Sequence, residues 1–366
     1  MKVGILSMQQ ITNYGSFLQA YGLKSILESL GHDIEFINII PGEQLPQYRI
    51  SKFHKINLLF KRLRVKHPLM QLKCTLRLHK RFNNEFKPEL GVKHDSSDTH
   101  FDAVVIGSDE VFNVAQTTWF GFSPQLFGEG LNTDKVISYA GCFGATTAEK
   151  LKELGIDHRV GRLLSNMDAI SIRDENSMNV VRILTQKNPS LNVDPVIAYE
   201  FDTELRIPNI KEDYLLVYTY PGRMNNPDEI EAITRYARRN NLKTIAVANY
   251  FDWVDEVVTP HPFEVLGYFK RARYIVTDTF HGAVMSIKYN KQFAVIVRGM
   301  NNNKLSFLLK QFGISSRIAD KPNQIDKILD EIINYSPVNM IIDAEKINTQ
   351  NYLKSNLNKH EGHRNI

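Results

Sequence analysis

The segment RYIVTDTFHGAVMSIKYNKQFAVIV, from Arg273 to Val297, constrains the fold of this chain more than any other stretch. It begins with β-branched and aromatic residues typical of a buried strand, passes through the turn-forming residues Thr277 to Thr279, and continues with a helical pattern. Open α/β sheets bind ligands at such junctions, where the N–H groups of the helix start favour an anion. His281 lies at this junction. It either serves an anion site or only caps the helix and fills a polar pocket.

The same alternation of apolar runs and amphipathic segments recurs in both halves of the chain. Strands are predicted at residues 3–6, 34–40, 101–106, 136–140, 169–172 and 191–193, and again at 214–220, 244–248, 274–276 and 293–297. The polar, proline-containing run 202–213 is predicted to be a linker, and 366 residues suffice for two domains. We therefore expect α/β domains at 1–200 and 201–340 that face a cleft, and a helical tail at 341–366 that packs back on the first domain.

The composition is that of a soluble globular protein, with 43% hydrophobic and 23% charged residues. No stretch approaches the about eighteen apolar residues of a membrane-spanning helix, and no small-residue cleavage site follows the apolar run near the N-terminus. We therefore expect a cytoplasmic protein. The two cysteines, Cys74 and Cys142, lack metal-type spacing and are interpreted as ordinary thiols.

The chain opens with a β-loop-α-β unit, but this unit contains neither G-x-G-x-x-G nor the phosphate-loop pattern. We expect no cofactor there. Asn13, Tyr14 and Gly15 occupy the loop between the strand and the helix, where a ligand would bind. The alternative interpretation is a helix cap followed by a turn glycine.

Two later strand ends carry polar groups to the same edge of the predicted sheet. Ser108 and Asp109 follow the strand at 101–106, and Asp109 is able to orient a basic group or to accept a proton from a sugar hydroxyl. Its alternative role is the N-cap of a helix that starts at Glu110. Arg173 follows the strand at 169–172, where it either binds carboxylate or phosphate with two N–H groups or forms a salt bridge with a neighbouring acid.

The segment from Arg49 to Phe82 contains eleven Lys and Arg residues and no acidic residue, and it predicts a basic helical insertion at 49–90. It suits an anionic membrane surface, a solvated helix face or, least of these, a nucleic acid. No nucleic-acid module is recognisable, so we expect no nucleic-acid partner. We also expect no metal, because the spacing of a nearby acidic and histidine cluster fits no metal site. That cluster, interpreted as a solvated loop, comprises His94, Asp95, Asp98, His100 and Asp102.

Six motifs together resemble the polysaccharide pyruvyl transferase family in their order and separation. They are TNYGSFLQAYGL, FDAVVIGSDEVFN, ISYAGCFG, AISIRDENS, NVDPV and VTDTFHGAV, and the resemblance extends from residue 1 to about residue 320. It implies two Rossmann-like domains of the GT-B type, phosphoenolpyruvate as donor, and a pair of sugar hydroxyls as acceptor. It also implies a pyruvate ketal as product in surface polysaccharide biosynthesis, with an undecaprenyl-linked sugar as the possible acceptor.

The resemblance also assigns residues. His281 matches the histidine assigned to catalysis and Arg173 an arginine that binds the donor. Several members have a basic residue where this chain has Thr279, so another cation, Lys304 or Arg298, is expected to replace it. The donor-binding residues predicted in this way are Arg173, Thr279, Phe280, Gly282 and Lys304. The predicted acceptor-binding residues are Asn13, Tyr14, Gly15 and Ser108.

In the mechanism that we expect, His281 protonates the methylene carbon of the donor and Arg173 holds its anionic groups. Asp109 positions or deprotonates the acceptor, phosphate leaves, and a second hydroxyl closes the ketal. Two other functions fit the same pattern. One is a GT-B glycosyltransferase that uses a nucleotide sugar. The other is a non-catalytic scaffold that binds the membrane through residues 49–82.

Overall fold

Two parallel β-sheets, each covered by helices, build the protein. The computed structural model describes residues 1–45, 67–92, 99–115, 118–299 and 302–358. The first sheet has the order β2-β1-β3-β4-β5-β6, and the second has the order β12-β11-β10-β7-β8-β9. The first contains β1 (Lys2–Leu6), β2 (Asp33–Phe36), β3 (Ala103–Asp109), β4 (Val136–Gly141), β5 (Ser171–Ile172) and β6 (Ser190–Leu191). The second contains β7 (Tyr214–Tyr218), β8 (Lys243–Val247), β9 (Glu256–Val258), β10 (Tyr274–Thr277), β11 (Gln292–Ile296) and β12 (Ile318–Ala319).

Helices follow most strands along the chain. In the first domain they are α1 (Tyr14–Ser29), α2 (Pro68–Arg81), α3 (Lys87–Leu90), α4 (Ala148–Glu153), α5 (Asp157–Ser165), α6 (Glu175–Thr185) and α7 (Pro195–Ala198). From the second domain onward they are α8 (Pro227–Arg239), α9 (Pro262–Arg271), α10 (Phe280–Lys288), α11 (Asn302–Gln311), α12 (Ile325–Asp330) and α13 (Tyr335–Leu357). A π-helical turn, Phe82–Phe86, joins α2 to α3.

The strand orders determine where ligands can bind. Counted from β7, the second sheet has the order 3-2-1-4-5-6 of dinucleotide-binding folds, and in the first sheet β3 pairs directly with β1. Crossovers therefore reverse direction between β1 and β3 and between β7 and β10, which opens a crevice at the carboxyl ends of those strands. The predicted fold class, two Rossmann-like domains with a cleft between them, is confirmed.

The predicted basic insertion falls partly outside the described residues. Its described part contains α2, which carries basic side chains and buries none of its residues completely. Strand β3 is longer than predicted, because it continues through Gly107 and Ser108 to Asp109. No helix within the described ranges is long and apolar enough to cross a bilayer.

Aromatic side chains from both domains pack into one continuous apolar contact. Tyr21 of α1 packs with its ring centroid 4.7 Å from Phe263 of the second domain and 6.1 Å from Phe201. Phe17 packs against the same Phe263 ring at 5.7 Å. Domains joined by a large apolar interface keep their relative orientation better than domains joined by polar contacts. This contact therefore fixes the geometry of the cleft.

Helix α13 starts at Tyr335, before the predicted tail, and packs against the first sheet. The Tyr352 hydroxyl donates to the carbonyl of Ser138 at 2.8 Å, and the hydroxyls of Thr349 and Tyr139 lie 2.9 Å apart. Asn348 donates to a carbonyl of the first sheet, that of Leu191. The chain thus returns from the second domain to cover the first.

Replacement of Leu353 by alanine should destabilise the protein by about 2–5 kcal/mol, because this α13 side chain is fully buried and its loss leaves a cavity. The matched control on the same helix is Ile347→Ala, whose side chain is 61% exposed and should change stability by less than about 0.5 kcal/mol. Urea unfolding measures both. Equal effects of the two substitutions would show that α13 is not docked on the first domain.

Candidate active site

The first turn of α10 explains the sequence of the junction after β10. The Thr279 hydroxyl caps the helix by accepting a hydrogen bond from the N–H of Gly282 at 3.0 Å. A Cβ atom on Gly282 would lie 2.1 Å from Oγ1 of Thr277, so a larger residue does not fit there. Thr279 and Gly282 therefore have positions suited to capping and packing, and their contact with a donor stays a prediction. Phe280 and His281, by contrast, line the cavity between the domains.

A buried cluster of charged side chains joins the two domains at this junction. Arg173, directly after β5, donates from one terminal nitrogen to Asp194 at 2.7 Å and from the other to Asp109 at 2.9 Å. The Nε2 atom of His281, from the second domain, lies 3.4 Å from Oδ2 of Asp194. The side chains of Arg173 and Asp194 are 1% and 0% exposed. Buried charges are tolerated only in pairs, so these residues hold one another in place.

Asp109 is held in its ionised form. Burial alone would raise the pKa of its carboxyl. The positive charges nearby outweigh burial and hold that pKa well below its usual range; they belong to Arg173, His281 and Lys304. The Ser16 hydroxyl, which donates a hydrogen bond to the carboxylate at 2.9 Å, acts in the same direction. A carboxylate with so low a pKa is a weak base. No helix of the described chain starts at Glu110, so the N-cap alternative does not apply. The geometry favours positioning of Arg173 over proton acceptance.

The imidazole of His281 is confined by the first turn of α1. A Cβ atom on Gly15 would lie 2.2 Å from the Cγ and Nδ1 atoms of the ring, so only glycine fits beside it. Although Nε2 of His281 lies 3.4 Å from Oδ2 of Asp194, it forms no hydrogen bond with a described residue, and neither does Nε of Arg173. Buried polar atoms are nearly always hydrogen-bonded, and an exception at a cavity wall indicates a place for a ligand.

A cavity of about 260 Å³ lies between the domains, at the carboxyl ends of their central strands. Three residues of the buried charged cluster line it, namely Asp109, Arg173 and His281. Its wall combines acidic, basic and aromatic groups from both domains. The charged and aromatic residues that line it are Asp109, Glu110, Arg173, Tyr220, Arg223, Phe280, His281 and Lys304. The guanidinium of Arg173 also stacks on the Phe280 ring, 4.2 Å from its centroid.

Lys304 lies in the cavity wall and forms an ion pair with Glu110 across the cleft. Burial alone would lower the pKa of the Lys304 ammonium, but the Glu110 carboxylate outweighs burial and raises it, so the lysine stays charged. Arg298, the other cation suggested by the sequence, pairs with Asp278 at 2.7 Å and with Glu229 at 3.0 Å. Arg298 is not among the residues that line the cavity.

Arg223 is a cavity cation that the sequence analysis missed. Its guanidinium lies 4.9 Å from the centroid of the Tyr220 ring, and its Nη1 atom lies 3.8 Å from Oδ2 of Asp278. Its side chain is 29% exposed, whereas that of Arg173 is almost fully buried. In the sequence, Arg223 was marked only by the turn at Gly222, which comes just after the strand predicted at 214–220. Asp194 and Ser16 were also missed, although both lie within the quoted motifs.

A second, smaller cavity of about 130 Å³ lies beside the first and shares Tyr220 with it. Two predicted acceptor-binding residues, Asn13 and Tyr14, line this cavity. Ser108 does not line either one, because β3 places it in the sheet interior and its hydroxyl donates to the carbonyl of Ala140 at 2.9 Å. The position of Ser108 therefore argues against the predicted contact with an acceptor. The remaining lining residues are Thr12, Thr75, Leu78, His79, Tyr218, Thr219, Pro221, Ala248 and Asn249.

Part of the acidic and histidine cluster at residues 94–102 lies outside the described residues. The described members His100 and Asp102 have other partners, Asp134 and the backbone of Lys2 respectively. Within the described ranges, no three His, Cys, Asp or Glu side chains are arranged to hold a metal ion.

Comparison with known proteins gives one family. The sequence model of the family described as polysaccharide pyruvyl transferase matches residues 13–299. This range contains every predicted site residue except Lys304. No curated protein sequence matches the chain.

Solved structures resemble the chain in overall fold. The UDP-GlcNAc 2-epimerase from Neisseria meningitidis, bound to UDP-GlcNAc, is 12% identical, with a TM-score of 0.49 over 97% of this chain and 100% of that one. The glycotransferase of kitacinnamycin is 10% identical, with a TM-score of 0.49 over 98% and 99%. The UDP-GlcNAc 2-epimerase from Methanocaldococcus jannaschii, in complex with UDP-GlcNAc and UDP, is 13% identical, with a TM-score of 0.48 over 94% and 99%.

Substitution of Arg173 by alanine should destabilise the fold by about 3–5 kcal/mol, because it leaves Asp109 and Asp194 without their buried counter-charge. The matched control is Arg235→Ala. Its ion pair with Asp326 is solvent-exposed and contributes about 1 kcal/mol at most. Urea unfolding of both variants at neutral pH measures the difference. If Arg173→Ala were as stable as Arg235→Ala, the charge cluster would not have the structural role derived above.

Proposed function

Because the chain belongs to the polysaccharide pyruvyl transferase family, we propose that it transfers the pyruvyl group of phosphoenolpyruvate to two hydroxyls of a sugar. The product is a pyruvate ketal, formed during synthesis of a surface polysaccharide. One observation carries the proposal. His281 of one domain meets Arg173 of the other at a cavity whose wall contains two further cations, Arg223 and Lys304.

The donor needs cations, since phosphoenolpyruvate carries both a phosphate and a carboxylate. The terminal nitrogens of Arg173 are already bound to Asp109 and Asp194, and within the described part of the chain its Nε has no hydrogen-bond partner. Arg223, whose ion pair with Asp278 is long at 3.8 Å, and Lys304, whose ammonium has two N–H groups beyond the one bound to Glu110, therefore supply the main charge contacts. Charge-assisted hydrogen bonds to phosphate or carboxylate are about twice as strong as neutral ones. Arg223 thus takes the part of the basic residue that this chain lacks at Thr279.

His281 is the proposed general acid. Its ring is set between Gly15 and Asp194, with Nε2 available to a bound group. Transfer of its proton to the methylene carbon makes that carbon a methyl group, because the electron pair of the enol double bond forms the new C–H bond, and it leaves C2 electrophilic. A sugar hydroxyl attacks C2, the bond between C2 and the phosphate oxygen breaks, and inorganic phosphate leaves. A second hydroxyl of the sugar closes the ketal, and the hydroxyl protons pass to the solvent and to the imidazole. Asp109 acts as a positioning residue through Arg173.

The smaller cavity suits the acceptor sugar. It opens beside the proposed donor site at Tyr220, and it offers hydroxyl and amide groups together with aromatic rings. Asn13 connects the two cavities, because its amide donates to the Tyr220 hydroxyl at 3.3 Å. We propose that the acceptor is lipid-linked, as on an undecaprenyl carrier, so that its lipid remains outside the cavity.

A glycosyltransferase that uses a nucleotide sugar is the second candidate, because the second sheet has the strand order of dinucleotide-binding folds. Thermal unfolding separates the two functions, since a ligand that binds only the folded state raises the melting temperature. Phosphoenolpyruvate should raise it and UDP should not. The opposite result would favour the glycosyltransferase.

Vesicle binding by a protein that turns over neither donor would favour the non-catalytic scaffold.

His281→Ala should lower turnover by about 10²–10⁴-fold while the fold is kept, because general acid catalysis contributes about that much. The assay is release of phosphate from phosphoenolpyruvate across a panel of lipid-linked sugars. His158→Ala, at a fully exposed histidine on α5, is the matched control and should retain wild-type turnover. Near-wild-type turnover of His281→Ala would exclude the proposed role.

Arg223→Ala should raise the KM for phosphoenolpyruvate about 10- to 100-fold, which corresponds to the loss of a hydrogen bond to a charged group, about 1.5–3 kcal/mol. The KM for the acceptor should not change. Arg223→Lys should restore part of the loss, and added guanidinium should partly rescue the alanine variant. Arg235→Ala again serves as the control for loss of a surface cation. An unchanged donor KM in Arg223→Ala would remove Arg223 from the donor site.

A further inference from the structure

The outer face of α2 exposes an apolar stripe. Leu69, Leu72 and Leu76 follow one another at intervals of three and four residues, so they lie on the same side of the helix. Their exposed fractions are 79%, 48% and 60%. Single exposed leucines are common on protein surfaces, but three in a row on one helix face indicate an interaction site.

Positive charge accompanies this stripe. Lys73 and Lys80 lie one helical turn after Leu69 and Leu76, and Arg77 lies beside them. All three basic side chains are exposed, and α2 contains no acidic residue. An amphipathic helix with leucines on one face and lysines around them has the composition of helices that lie in the interface of a membrane.

The inner face of α2 belongs to the proposed acceptor site. Thr75, Leu78 and His79 line the smaller cavity. The Cys74 thiol donates to the carbonyl of Ala248 at 3.1 Å, and the Arg81 guanidinium donates to the carbonyl of Thr259. The helix is therefore fixed to the second domain while its outer face stays exposed.

We propose that α2 docks the protein on an anionic lipid bilayer, with Leu69, Leu72 and Leu76 inserted among the head groups. This inference rests on the proposed function, because it names how a lipid-linked acceptor reaches the site. A helix with its side chains is about 10–12 Å across. A bilayer against the outer face thus lies about one helix diameter from the smaller cavity, and a sugar on a lipid carrier has only that distance to cross.

Charge favours a membrane over other partners of this face. Residues 46–66, which precede α2 in the sequence, contain seven Lys and Arg residues and no acidic one, so they add to the positive charge of this part of the chain. A second copy of the protein would bring the same positive face. An anionic bilayer attracts each of these lysines and also accepts the leucines.

Co-sedimentation with vesicles tests the proposal. The protein should bind vesicles of phosphatidylcholine that contain phosphatidylglycerol, should bind pure phosphatidylcholine much less, and should dissociate at high salt. Lys73→Gln and Lys80→Gln should each weaken binding about fivefold, which corresponds to about 1 kcal/mol per charge. The double variant Leu72→Ser/Leu76→Ser should weaken binding at least tenfold.

Ile332→Ser is the matched control, because Ile332 is 85% exposed and lies far from α2 in the sequence. It should bind vesicles like the wild type. All variants should keep the wild-type melting temperature, since the replaced side chains are exposed. The leucine variant should also keep wild-type turnover of a soluble acceptor while turnover of a vesicle-bound acceptor falls.

Two outcomes would overturn the proposal. One is a wild-type protein that does not bind anionic vesicles, and the other is vesicle binding that the α2 substitutions leave unchanged. Failure of the proposed function has a different signature, because the wild type would then release no phosphate from phosphoenolpyruvate with any acceptor. The vesicle result does not depend on that assay.

Discussion

The ion pairs of Arg173 with Asp109 and Asp194 are the interaction on which the rest of the site depends. They place one guanidinium between two carboxylates at the carboxyl ends of the first sheet, and His281 approaches Asp194 from the second domain. Removal of the Arg173 guanidinium would leave two buried carboxylates without their counter-charge, at a cost of several kcal/mol. The cluster thus couples the position of the imidazole to the folding of both domains.

Close packing fixes the same geometry. Gly15 of α1 leaves space for the His281 ring, and the aromatic contact around Tyr21 and Phe263 joins the domains behind it. The cavity is therefore formed before a ligand arrives, with cations already in place. Such preorganised charge is the largest single contribution to many enzyme reactions, because no reorganisation is needed when the reaction occurs.

Much of the fold and part of the site could be predicted from the sequence. Periodicity gave the strand–helix alternation, and strand ends pointed to His281, Arg173 and Asp109. Ser108 was placed in the site because the apolar run stops at Ile106, whereas β3 continues through Gly107 and Ser108 to Asp109. Thr279 lies at the predicted junction, but its hydroxyl caps the helix by accepting a hydrogen bond from the N–H of Gly282. Local patterns do not distinguish a capping residue from a binding residue.

Residues that meet only in three dimensions were harder to find. Asp194 is separated from Arg173 by 21 residues, and Arg223 reaches the cavity from a different sheet. No spacing rule connects them, because their convergence depends on how the two domains face each other.

A crystal structure of the protein with phosphoenolpyruvate bound tests the central claim most directly. The donor should lie in the cavity between the domains, with its anionic groups in contact with Arg223 and Lys304 and its methylene carbon facing Nε2 of His281. A donor bound in a compartment that His281 does not reach would contradict it.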